Sequence, residues 1–230
     1  MTTIVEPRVE LIAHTTLACD GRSPAIEGHM SLDPDAGDMQ QLVEFAGRSC
    51  YESWSKPNPA TARNKDYIAR TLHGRKHWSI AEHASATFYI TGVSRALTHE
   101  LVRHRHLSYS QLSQRFVDES KANIVIPPAA RGSEKLMWEF ENAAAGARHS
   151  YRELVEALLD SGLARKQARE AARAVLPNMT ETRIVVTGNM RAWHEVIERR
   201  TAPDADAEFQ EVAGLIRDEL KKIAPAIFTD

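Results

Sequence analysis

Strand-like and helix-like segments interleave along this chain without the regular alternation that a doubly wound parallel sheet requires. That irregularity points to an α+β fold, with helices packed on a central antiparallel or mixed sheet. Residues 8–13 alternate as a first strand. The β-branched and aromatic run at 87–93 and the run at 183–187 read as two more. Helical periodicity begins at 42–46 and breaks at the Pro-containing stretch 54–59, then recurs at 67–72, 95–105, 134–159 and 165–176, the last ended by Pro177. It recurs again at 191–201, behind Asn189 as N-cap, and at 208–223, where Phe209, Val212, Ile216 and Ile223 share a face. Residues 19–40, rich in Gly, Pro, Asp and Ser, are expected to be loop, and 77–84 a connection or short helix. With 230 residues, no internal repeat and no low-complexity tail, the chain reads as a single domain, 1–230, able to bury a real core.

Charge narrows the chemistry. A net charge of −2 argues against a polyanion-binding surface, so any phosphate site must be a local concentration of arginine. Cys19 and Cys50 are the only cysteines, which makes neither a metal-type pair nor a disulfide framework and fits a reducing compartment. No apolar run reaches membrane-spanning length, and residues 1–7 lack a signal pattern, so the expected location is the cytoplasm.

One such concentration of arginine stands out. Arg103-His104-Arg105 is followed by seven residues and then Ser113-Gln114-Arg115. Arginine offers a rigid fork of donors for phosphate or carboxylate, while Ser and Gln supply the neutral groups that read a base edge. Arg95, His99 and Arg103 recur every four residues and so share a helical face. Farther on, Trp193, Val196 and Ile197 mark a buried stripe whose next position is Arg200. An arginine there is costly unless paired, and the choice lies between a salt bridge to another helix, a snorkelling side chain and a ligand contact. Arg165, Arg169 and Arg173, with Lys166, form either a solvated basic face or, through Arg173, a reach to phosphate.

Other constellations carry less. His77, His83, His99, His104 and His106 lack metal-ligand spacing, and the arginines beside His104 would repel a cation, so no metal site is expected. Cys50 is expected to be a buried structural thiol rather than a nucleophile. Ser113 lacks a nucleophile elbow. Neither a Gly-x-Gly-x-x-Gly nor a Gly-Lys-Ser/Thr loop is present, so a nucleotide would not be held in Rossmann or P-loop fashion.

The Arg103-His104-Arg105 run with its fixed spacing to Ser113 resembles the signature of the flavin-dependent thymidylate synthases. Tyr89-Ile90-Thr91-Gly92, Arg173-Ala174-Val175-Leu176-Pro177 and the segment 189–200 are similar to family segments as well, most like mycobacterial and corynebacterial members, over about residues 8–228. The resemblance implies a homotetramer with shared active sites that converts dUMP to dTMP, taking the carbon from methylenetetrahydrofolate and the hydride from FAD reduced by NADPH. It implies FAD contacts at Ser79, Arg103, His104, Arg105, Gln111, Asn189, Met190, Arg191 and Glu195. It implies dUMP contacts at Glu100, Arg103, Gln111, Ser113, Gln114, Arg115, Arg173 and Arg200, with Arg200 catalytic and His77 lining the folate side. Gln111 stands where many members carry Glu, Glu100 where some carry Gln, Glu195 where Asn or His is frequent, and Asp204 where His is frequent. Against this stand a nucleic-acid-binding module, disfavoured by the near-neutral charge and the missing motif, and a metal-dependent hydrolase built on the histidines.

Overall fold

The alternation at the N-terminus does become a strand. In the computed structural model, which describes residues 3–55 and 63–229, β1 (Arg8–His14), β2 (Ser85–Ser94), β3 (Leu107–Gln111) and β4 (Glu181–Asn189) form one sheet in the order β1-β2-β4-β3. Every neighbouring pair in it is antiparallel. Phe88 and Ile90 of β2 and Ile184 and Val186 of β4 point to a buried face, while Thr87, Tyr89, Val185 and Thr187 point to a half-exposed one. This is the two-residue period of a sheet covered on one side.

The helices are α1 (Pro24–Glu27), α2 (Asp38–Cys50), α3 (Asn64–Ile68), α4 (Arg95–Leu101), α5 (Glu134–Asp160), α6 (Arg165–Ala172), α7 (Met190–Arg200) and α8 (Ala207–Ile223). Helices α7 and α8 cover the buried face. Trp193 of α7 packs edge-on to Phe88 and donates its indole N–H to Ala86 O at 3.1 Å. Gly188 makes that approach possible, because a Cβ there would sit 2.1 Å from Leu107 Cδ2 and 3.2 Å from Trp193 Nε1. Gly92 is required for a second reason. It lies at the β2 irregularity with φ +66°, and a Cβ would stand 1.9 Å from the Glu6 carbonyl oxygen. Gly92→Ala is expected to cost at least about 2 kcal/mol, combining left-handed strain with a backbone collision; urea unfolding measures it.

Three elements differ from the sequence expectation. The stretch 19–40 is not all loop. Ser23 caps the short α1, and α2 begins at Asp38, because the polar Gln40 and Gln41 are buried rather than solvated. Gln41 accepts from Asp33 N–H and donates to Ala36 O. Helix α4 ends at Leu101 instead of 105, and β3, absent from the expectation, follows. The hydroxyl of Tyr109 lies 2.7 Å from both Leu101 O and His104 O, satisfying the end of α4 and pinning the turn before β3. Helix α6 stops at Ala172, and residues Arg173–Val175 tighten into a 3-10 turn ahead of Pro177. The expected break at 54–59 falls partly outside the described residues.

An ion pair lies in the packing between α2 and α3. Arg48 is 1 % exposed and Glu44 is 5 % exposed. Arg48 Nε donates to Glu44 Oε1 at 2.7 Å, and Arg48 Nη1 donates to Ser53 O at 2.8 Å. Asn64 donates to Glu44 Oε2 at 2.8 Å and to Gln40 O, and Gln40 Oε1 accepts from Ala226 N–H. The 27-residue α5, by contrast, buries only Ala144 and Tyr151, and leaves Leu136, Trp138, Leu154 and Leu159 exposed. No helix among the described residues is long and apolar enough to cross a membrane.

Candidate active site

Three adjoining cavities form a trough around the start of α7. Lys76, His77, Trp78, Ser79, Arg191, His194, Glu195 and Glu198 line the first, of about 520 Å3. Glu82, His106, Asn189, Arg191, Ala192 and Glu195 line the second, and Arg103, His104, Arg105, His106, Leu107, Ala192, Glu195 and Arg199 the third. His77, Ser79, Arg103, His104, Arg105, Asn189, Arg191 and Glu195, all singled out from the sequence, therefore converge on one trough. Glu195 borders all three cavities.

The trough's polar groups are already partly engaged. Asn189 Oδ1 accepts from Ala192 N–H at 2.8 Å as the cap of α7, which leaves its amide nitrogen for a ligand. Arg191 donates to Glu82 at 2.6 Å and to Glu195 at 3.3 Å, so this cation is balanced on both sides. Met190 is not brought to the trough: its side chain is fully buried and its amide is bonded to Ala84 O. Trp78 and His194, which sequence reasoning passed over, stack at 3.6 Å and 9° and form a flat wall. Burial holds the His194 imidazole below its ordinary pKa.

Arg200 does not itself line the trough but adjoins it through His104, a lining residue of the third cavity. Its Nη1 pairs with Glu100, its Nε donates to His104 Nε2 at 3.1 Å, and its guanidinium lies 4.6 Å over the ring of Phe209 on α8. The salt bridge to another helix was one of the sequence readings, and the ion pair with Glu100 on α4 is that bridge. Burial, followed by the charges of Arg200 and Arg199, lowers the His104 pKa to about 4.

The remaining site candidates lie elsewhere. Arg105 precedes β3 and Ser113 follows it, so a strand of about 13 Å stands between them. Gln111 turns inward and donates to Thr98 at 2.9 Å and Thr182 at 3.2 Å. Gln114 is buried, Ser113 half-buried. Arg115 Nε lies 2.7 Å from a Glu170 oxygen, yet its N–H is not aimed at an acceptor, so the contact is an ion pair rather than a hydrogen bond. Arg173 is half-buried beside Arg95, whose guanidinium burial pushes to a lower pKa. His99 is exposed, and Arg103 lies beyond the end of α4, so Arg95, His99 and Arg103 do not form one helical face. Cys50 is exposed, which corrects its reading as a buried thiol: it occupies the last position of α2, facing away from the core. Asp204 follows α7 in an exposed turn. Among the described residues no three His, Cys, Asp or Glu side chains converge as a metal would require.

The chain matches the Thy1 family, thymidylate synthase complementing protein, over residues 34–226. It is 51 % identical to the flavin-dependent thymidylate synthase of Mycobacteroides abscessus, over all of this chain and 92 % of that relative. Its fold superposes on thymidylate synthase X of Helicobacter pylori, solved with FAD and dUMP, with a TM-score of 0.69, 19 % identity and 97 % and 98 % of the two chains covered. It superposes on the UMP/dUMP methylase PolB of Streptomyces cacaoi, bound to 5-bromo-dUMP, with a TM-score of 0.73, 24 % identity and 99 % and 95 % covered. The chain belongs to the Thy1 family and, with its mycobacterial relatives, to the flavin-dependent thymidylate synthases.

Proposed function

We propose that this chain converts dUMP to dTMP in the cytoplasm, drawing the one-carbon unit from methylenetetrahydrofolate and the reducing equivalents from NADPH through FAD. The observation that carries this reading is Arg200, held by three partners, one of which, His104, lines the arginine-rich trough. The trough fits a flavin dinucleotide. Arg103, Arg105 and Arg199 offer cations to a pyrophosphate, and Ser79, His104, the Asn189 amide and Glu195 offer neutral or acceptor groups. FAD bound there supplies a hydride. Everything else falls to the protein. His77 closes the trough on the folate side. Arg200 directs fixed donors at uracil N3 and the neighbouring carbonyl, stabilising the negative charge that makes carbon 5 nucleophilic without an enzyme thiolate. Glu100 sets the position of that guanidinium.

The nucleotide site is completed between copies in a homotetramer. Arg103 lies before β3 and Arg200 at the end of α7, while Gln111 closes β3, Ser113, Gln114 and Arg115 follow it, and Arg173 stands in the turn after α6. The two groups therefore sit toward opposite ends of β3, a strand of about 13 Å, and a neighbouring copy would bring them to one nucleotide. The exposed Leu136, Trp138, Leu154 and Leu159 of α5 are apolar surface that such an assembly would cover.

The test is colour. Purified protein should absorb as an oxidised flavin and bleach on addition of NADPH, faster with dUMP present. A colourless protein that binds oligonucleotides in a salt-dependent manner would overturn the proposal.

A further inference from the structure

We propose that His104 is a positioning residue for Arg200, accepting the Arg200 Nε–H and so fixing the plane in which the guanidinium meets uracil. The proposal rests on the reading of Arg200 as the group that polarises the nucleotide, and assigns to the centre of the Arg-His-Arg run a task in addition to holding flavin.

The geometry is that of a three-sided cradle. Glu100 on α4 takes Nη1, His104 in the following turn takes Nε at 3.1 Å, and Phe209 on α8 lies beneath at 4.6 Å. Glu100 alone leaves the guanidinium free to rotate about the axis of that contact. A second bond at Nε removes the rotation, because Nε and Nη1 are fixed in one rigid plane. The His104 ring is itself held. It packs edge-on to Phe209 with centroids 6.0 Å apart, and its carbonyl accepts from the Tyr109 hydroxyl at 2.7 Å. A single buried aromatic ring therefore sets both partners of the hydrogen bond.

The bond also fixes a tautomer. An imidazole that accepts at Nε2 carries its proton on Nδ1. A protonated ring would have no lone pair for Arg200, so the cradle requires a neutral His104. The charged groups facing the ring favour that state on balance: Arg200 and Arg199 oppose its protonation, Glu195 supports it, and burial outweighs each of them.

Fluorine NMR of 5-fluoro-dUMP on the flavin-loaded enzyme reads this directly, since the fluorine shift follows the loss of the N3 proton. In the parent enzyme the bound nucleotide should lose that proton at lower pH than the free nucleotide. His104→Leu should raise the bound value by about one pH unit, the scale of one hydrogen bond to a charged group. His104→Gln, whose amide oxygen still accepts, should recover most of the shift. Should His104→Leu fail to hold flavin, His104→Phe keeps a flat ring against Phe209 without an acceptor and makes the same contrast. An unchanged N3 titration in the variants lacking an acceptor overturns the role of His104 and leaves the Arg200 reading standing. A parent enzyme in which the bound and free nucleotides titrate together removes the Arg200 reading, and this proposal with it.

Discussion

Arg200→Lys is expected to lower turnover by about a hundred- to a thousandfold, the loss typical of a preorganised donor aimed at developing charge. Lysine keeps the charge but not the fork. Its ammonium can remain near Glu100, yet it has no Nε–H in a fixed plane for His104 and no flat face to lay on Phe209. The trough loses none of its lining residues, so flavin content should match that of the parent enzyme. Steady-state turnover per bound flavin, with the visible spectrum recorded on the same sample, separates the two effects. A lysine variant that turns over near the parent rate would remove Arg200 from the chemistry.

The largest effect on stability is expected at Arg48. Arg48→Met should destabilise the fold by about 3–5 kcal/mol, because Glu44 would then be buried without its cation. Asn64 still donates to the other Glu44 oxygen, but one amide cannot balance a carboxylate taken out of water. The damage should spread, since the same network ties α2 to α3 and to the backbone at Ala226. Adding Glu44→Leu to Arg48→Met should return much of the loss, as exchanging a buried pair for apolar groups often costs little. Urea unfolding of the single and double variants tests this; a double variant no more stable than the single one contradicts the account.

Periodicity located the helices that bury a broad apolar stripe. Helices α7 and α8 and the cap at Asn189 lie within a residue or so of expectation, because Trp193, Val196, Phe209 and Ile216 stand one or two turns apart. It failed where polar residues are buried or apolar ones exposed. Gln40, Gln41 and Arg48 are of types usually found at the surface, yet each is buried with hydrogen-bond partners inside the fold. Strand β3 was missed because only Leu107 and Tyr109 show its apolar side, among two serines and a glutamine. The trough residues could be read individually from charge and resemblance. That Phe209 underlies Arg200 could not, since its place on an apolar stripe marks it only as core.

Strand β3 also explains the arithmetic of the motif. The seven residues between Arg105 and Ser113 are a turn, five residues of strand and one residue of exit. They are a measured length rather than filler. Deleting one would reverse the sides of the sheet met by every side chain beyond it and, ahead of Tyr109, would take that residue off the two carbonyls it clamps. Deleting two would keep the sides but shorten the reach by about 7 Å. Substitution within the run is open to drift at its outward serines, Ser108 and Ser110, while its length is not. The count of residues is thus set by the sheet's two-residue period, whatever side chains fill the outward positions.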